Sequence, residues 1–201
     1  MEKTEEKIPE KAKTGARNLV IGIVIVIIIL GAWMFSSYKE SKFSYNGITG
    51  NVVKEGALTL YQISIPVVYQ GEKQPYYFYL RNNPENLAMV PFNGEIDLRG
   101  KIRDMVINST GNLTCEGKGV IGVMNLADLY NILGSNVIKN ETLGCPANGE
   151  YMFLQLKEGN ETKITQFGPS CYYLEVANCE TLKATEKFMV ETLIKIKEDI
   201  L

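Results

Sequence analysis

Cys115, Cys145, Cys171 and Cys179 are the most reactive side chains of this 201-residue chain, and it has no histidine to activate them. That absence removes Ser-His-Asp and Cys-His catalysis, the HExxH zinc motif and His-ligated haem. No two cysteines have C-x-x-C spacing, which argues against a zinc ribbon and against a thioredoxin-type pair. An even set of four then reads as two disulfides, which persist in compartments outside the cytoplasm. Of the three pairings, short-range closure favours Cys171–Cys179, stapling a helix start to the preceding strand, with Cys115–Cys145 as the second bridge. Four N-x-S/T sequons begin at Asn108, Asn112, Asn140 and Asn160. They suit glycan acceptors in surface loops, although Asn and Thr also crowd turns for their own reasons.

Other motifs are weaker. Residues 117–122, Gly-Lys-Gly-Val-Ile-Gly, match G-x-G-x-x-G. Dinucleotide binding needs such glycines to follow a strand and open a helix inside a βαβ unit. Gly119 to Met124 instead reads as a short apolar strand, with a helix only from Asn125, so the match reads as fortuitous. No P-loop or G-x-S-x-G motif is present. Glu95, Asp97, Asp104 and Asp128 are acids available for carboxylate chemistry, and solvated faces explain them equally well. The run Tyr76 to Arg81 places Tyr76, Phe78 and Leu80 on one strand face and Tyr77, Tyr79 and Arg81 on the other. The second set can stack on a partner. It can also be structural, with Arg81 paired to an acid such as Glu85 or Glu95.

The position of these residues depends on a membrane anchor. Residues 18–38 carry no charge, and their 21 residues would span roughly 31 Å as a helix, the thickness of a bilayer core. Trp33 and Tyr38 near the far end suit the headgroup region. The apolar run is too long for a signal-peptide core and lacks an A-x-A cleavage pattern, so an uncleaved signal anchor is expected. Lys3, Lys7, Lys11, Lys13 and Arg17 precede it, against Lys39 and Lys42 after it. The positive-inside rule therefore puts the N-terminus in the cytoplasm and residues 39–201 outside. The tail 1–17 is low-complexity, charged and expected to be disordered. A net charge of −2 argues against nucleic acid as a partner.

The outer part reads as α+β: a stalk over 39–56, then a domain over 57–201 with a mostly antiparallel sheet, one short helix and a long C-terminal helix. Ile63, Ile65, Val67 and Tyr69 alternate onto one face of a strand that forms a hairpin with Tyr76 to Arg81. Pro66 suggests an edge or bulge. Further strands are expected within 94–107 and at 119–124, 151–156, 163–167 and 171–176. A short helix starts at Asn125 and stops at Gly134. Leu182, Met189, Leu193, Ile196 and Ile200 form one stripe of a terminal helix that starts near Cys179, with Asn178 as its cap.

The segments Tyr79-Leu80-Arg81-Asn82-Asn83-Pro84, Cys171-Tyr172-Tyr173-Leu174-Glu175 and Cys179 to Glu186 resemble uncharacterised single-pass archaeal membrane proteins. The resemblance implies an N-terminal anchor and an outside α+β domain over most of 57–195, and brings no activity, cofactor or catalytic residue. Where those relatives would place an acid before the proline, this chain has Asn83, so no charge-based role carries over. The expected function is a membrane-anchored extracytoplasmic binding domain, an envelope component or accessory subunit, with the lipid bilayer and other membrane or envelope proteins as partners. A pilin-like subunit is an alternative, although Thr14 rather than a charged residue precedes Gly15. An anchored enzyme without histidine, using carboxylates or lysine, is another.

Overall fold

The structure, a computed structural model, describes residues 21–32, 41–69, 71–98 and 104–200. The chain divides into two units, Met1–Glu40 and Ser41–Leu201. In the first unit, residues 21–32 are helical (α1), and the side chains from Ile21 to Leu30 are exposed on all sides. Among the described residues no helix is long and apolar enough to cross a membrane. Residues 18–20 and 33–38 of the expected span, and the tail 1–17, lie outside the described residues.

The second unit is α+β and has two sheets. The first is antiparallel, in the order β1 (Ser41–Tyr45), β2 (Ile48–Glu55), β3 (Leu58–Tyr69), β4 (Glu72–Leu80). The segment expected as a stalk is therefore strand from Ser41 to Glu55. Asn46-Gly47 explains it: both residues have positive φ, 44° and 79°, between the paired Tyr45 and Ile48. That is the hairpin turn whose twist matches paired strands. In β3, Ile63 is buried, Ile65 and Val67 are half-buried, and Ser64, Pro66 and Val68 face solvent, as the alternation requires. Pro66 lies opposite Pro75 of β4, past the last residue of β3 that β2 pairs, so no ladder bond is lost.

The second sheet has the order β5 (Phe92–Asn93), β9 (Lys163–Gly168), β10 (Cys171–Val176), β8 (Met152–Glu158), β6 (Met105–Thr110), β7 (Val137–Ile138). It departs from the antiparallel expectation. Only β9 and β10 run antiparallel; β5–β9, β10–β8, β8–β6 and β6–β7 are parallel. One turn of helix, α2 (Pro84–Leu87), follows β4; parallel neighbours need a crossover, and between β6 and β7 it is helix α3 (Lys118–Ile132). Residues 119–124 are therefore helix, not strand, and Asn125 lies inside the helix rather than capping it. The hydrophobic pattern misleads because two core positions of α3 are glycines. Gly119, Gly122, Leu126 and Leu129 follow one another at steps of three and four and are all buried. A methyl group on Gly122 would meet Thr185 Oγ1 at 2.5 Å and Leu182 Cα at 3.2 Å.

Those contacts belong to α4 (Thr181–Ile200). Leu182, Ala184, Thr185, Glu186, Lys187, Phe188, Met189 and Val190 of α4 are all buried. Phe188 packs among Phe92, Tyr130 and Tyr172, with ring centroids 6.3, 6.3 and 5.1 Å away. Ile48, Ile63, Phe78 and Leu80 of the first sheet join the same core. The helix starts two residues later than expected, because Asn178 and Cys179 have φ of 48° and 58°. Asn178 is not its cap.

The disulfides are Cys115–Cys179 and Cys145–Cys171, with Cα–Cα distances of 5.4 and 5.7 Å. This corrects the expected pairing. Strand β10 separates Cys171 from Val176 by a strand length of about 17 Å, so Cys171 and Cys179 end on opposite sides of the sheet. Cys115 meets Cys179 where the chain enters α3 and α4. Cys145, in the loop before β8, crosses to the start of β10.

Two measurements check this packing. Non-reducing peptide mapping should recover Cys115–Cys179 and Cys145–Cys171, which by loop entropy stabilise by about 4 and 3.5 kcal/mol. Recovery of Cys171–Cys179 would contradict the fold. Gly122→Ala should destabilise the domain by about 1–3 kcal/mol through overpacking against α4, read as a lower Tm. An unchanged Tm would mean the helices are not this close.

Candidate functional site

In open parallel sheets, binding sites form outside the carboxyl ends of the strands, where the connecting loops diverge. Here β6, β8 and β10 end side by side at Thr110, Glu158 and Val176. The loops that leave β6 and β10 lead to α3 and α4, and Cys115–Cys179 ties the two loops together. Cys115, Glu116 and Gly117 have φ of 47°, 56° and 87°. With Asn178 and Cys179, non-glycine residues in this sparsely populated region flank both ends of the bridge.

Two cavities adjoin this end of the sheet and share Leu113. The smaller, about 260 Å³, lies among Asn112, Glu158, Asn178 and the bridge. The larger, about 560 Å³, is an apolar groove between α3 and the ends of β6 and β7. Ile107, Leu113 and Leu156 are buried within its lining, while Val120, Met124 and Ile138 are 51, 59 and 46% exposed. Few polar groups face it, and one, Thr181, is already engaged: its hydroxyl donates to Leu113 O at 3.2 Å. A concave, largely apolar lining with few polar groups is the ordinary character of a ligand site.

The glycine motif does open this helix inside a βαβ unit, contrary to expectation. It still makes no phosphate cradle. Gly117 N–H and Gly119 N–H both donate to Thr114 O, at 2.9 and 3.1 Å, so the loop caps the helix start itself. Glycine is needed at 119 because a side chain there would meet the Leu113 carbonyl.

The other singled-out residues lie elsewhere. Tyr77 and Tyr79 are 48 and 41% exposed on the outer face of β4, an edge strand, and Tyr79 OH accepts from Gln62 Nε2 at 2.8 Å. Arg81, expected as the last residue of that strand, lies just past its end at Leu80 and is exposed. The acid bonded here is Glu186, not Glu85 or Glu95, and it bonds the Arg81 backbone rather than the guanidinium. Arg81 N–H donates to Glu186 Oε1 at 2.7 Å, while Asn82 N–H and Nδ2 donate to Oε2 at 2.9 and 2.7 Å. Glu186 is fully buried, and burial raises its carboxyl above the usual range against the pull of those bonds and of Arg81. The helix stripe carried a signal for it. The step of seven from Leu182 to Met189 skips position 186, which lies on the same face.

Among the sequons, Asn108 is a correction: it is 7% exposed, and its Nδ2 donates to Leu143 O at 3.1 Å. It cannot accept a glycan in the folded domain. Asn112 and Asn160 are exposed, and Asn140 is half-buried. Thr114 and Thr142 hydroxyls donate to Asn112 and Asn140 Oδ1, each at 2.7 Å. Thr162 is buried, and its hydroxyl accepts from Ala177 N–H at 3.1 Å. Glu95 and Asp97 sit in the loop after β5, Asp104 ahead of β6 and Asp128 on the exposed side of α3. Among the described residues no group of three Cys, Asp or Glu could hold a metal ion.

No family model, curated protein or solved structure matches the chain.

The Glu186 clamp has a pH signature. Its folded pKa lies above the unfolded value, so the unfolded chain loses this proton first as pH rises. The group's contribution to stability is therefore fully present below the ordinary carboxylate range and is lost as pH rises through the raised pKa. Urea titrations from about pH 4 to 7 should show the wild type losing stability relative to Glu186→Gln as pH rises. A constant difference would contradict the raised pKa. Glu186→Ala, which leaves the three N–H groups without their acceptor, should destabilise by about 3 kcal/mol.

Proposed function

We propose that this chain is a single-pass, membrane-anchored extracytoplasmic domain that acts by binding, with the groove between α3 and β6 as its contact site. The observation that carries the outside location is the cysteine chemistry: all four are paired, none is free, and both bridges join segments distant in sequence. Such bridges persist where thiols are not kept reduced. The charge-free stretch over 18–38 and the lysines before it supply the anchor and its direction. The exposed apolar rim of Val120, Met124 and Ile138 supports binding as the activity. Scattered apolar residues on a surface need no explanation, but these three border one concave groove.

The test is lysine labelling with a membrane-impermeant biotin ester on intact cells that make the full chain. Lys54, Lys73 and Lys139 are exposed and should label without permeabilisation. Lys3, Lys7, Lys11 and Lys13 should label only after it. The reverse pattern would refute the topology.

A further inference from the structure

We propose that the groove between α3 and β6 takes an extended peptide that adds to the second sheet as a strand. This deepens the binding role given to that groove above, and rests on it.

The sheet is incomplete at this point. Strand β7 pairs with Met105 and Val106 only, at Val137 and Ile138, whereas β6 continues to Thr110 and is paired with β8 throughout. Beyond Ile107 β6 therefore has a strand on one side alone among the described residues. The direction of its backbone groups follows from two bonds. Met152 N–H donates to Asp104 O at 2.8 Å, so Asp104 faces β8; Met105 N–H donates to Asn136 O at 2.9 Å, so Met105 faces the β7 side. Alternation carries Ile107 and Ser109 to the β7 side as well. Beyond Ile138 the chain leaves the sheet, so the N–H and C=O of Ser109 have no strand opposite them. Ser109 and Thr110 are exposed.

The groove lies beside this open edge. Ile107 and Ser109 line it from β6, and Val120, Val123, Met124 and Ala127 line it from α3. A strand laid along β6 would continue the line of β7. Every second side chain would then point beneath α3, into an apolar lining. Edge hydrogen bonds give such complexes their affinity, and the alternate pockets give them specificity. The residues under α3 would be small aliphatic ones such as valine. An acyl chain would fill the apolar space but would not use the Ser109 amide, so the open edge decides for peptide.

The test uses the full chain in lipid nanodiscs. The probe is a short acetylated peptide of alternating threonine and valine with lysine at each end, and its partner is the same peptide N-methylated at alternate residues. The unmethylated peptide should bind and shift the Ser109 amide resonance, and N-methylation should weaken it at least tenfold. Met124→Glu, at an exposed rim position, should also weaken binding tenfold with Tm unchanged. Ser109→Pro removes only the outward donor and should act in the same direction. Equal binding of the two peptides would overturn strand addition, as would binding of neither. A fluorescent fatty acid that binds in a Met124-dependent way, with no effect of N-methylation on the peptide, would assign the groove to acyl chains and overturn it too. The topology labelling reads the anchored location independently of all these results.

Discussion

A buried carboxylate on a buried helix holds the two sheets of this domain in one body. Glu186 accepts three N–H bonds from Arg81 and Asn82, where β4 of the first sheet ends. Two residues further along the same helix, Phe188 packs on Tyr130 and Tyr172, and so on α3 and the second sheet. A helix enclosed in this way cannot follow the usual division into an apolar and a charged face. Its polar residues must find partners inside. Glu186 finds backbone amides, Lys187 finds Glu191 at 2.6 Å, and Thr192 finds the Tyr130 hydroxyl at 2.9 Å. A charge taken out of water is tolerable only when its bonding capacity is used in this manner.

The same enclosure explains the glycines. Two helices cover one face of the mixed sheet, and they cross closely enough that Gly122 has no room for a side chain. The face left behind is different in character. There Tyr173 stacks on Phe167 at 3.9 Å, with Lys157 over its ring, and the loop that carries Cys145 covers Val106 and Phe153. One side of the sheet is therefore packed by helices, and the other by aromatic stacking and a disulfide-tethered loop.

Strand alternation in β3 and β4 was readable because each has one buried and one solvated face, the condition under which a period of two survives in sequence. The terminal helix was readable from its stripe and its length. The α3 helix was not, because its buried stripe includes two glycines, leaving Val120, Ile121 and Val123 to imitate a strand. The parallel pairing was hidden with it, since a missed crossover helix removes the reason to expect parallel neighbours. The disulfide pairing is hidden for a related reason: closeness in sequence is not closeness in space, and a whole strand lies between Cys171 and Cys179. The groove could be recognised only after α3 was in place over β6.

The Cys115–Cys179 bridge closes over 64 residues, and its second sulfur lies near the end of the chain. As the polypeptide emerges from the N-terminus, Cys115 and Cys145 both appear before either has its native partner. Strands β6, β7 and β8 precede β10, which pairs with β8, and α4, which packs on α3 and β10, comes after them all. A Cys115–Cys145 link formed in that interval is non-native and has to be reshuffled. Neither native bridge can close until Cys171 and Cys179, the later partner of each, have been made.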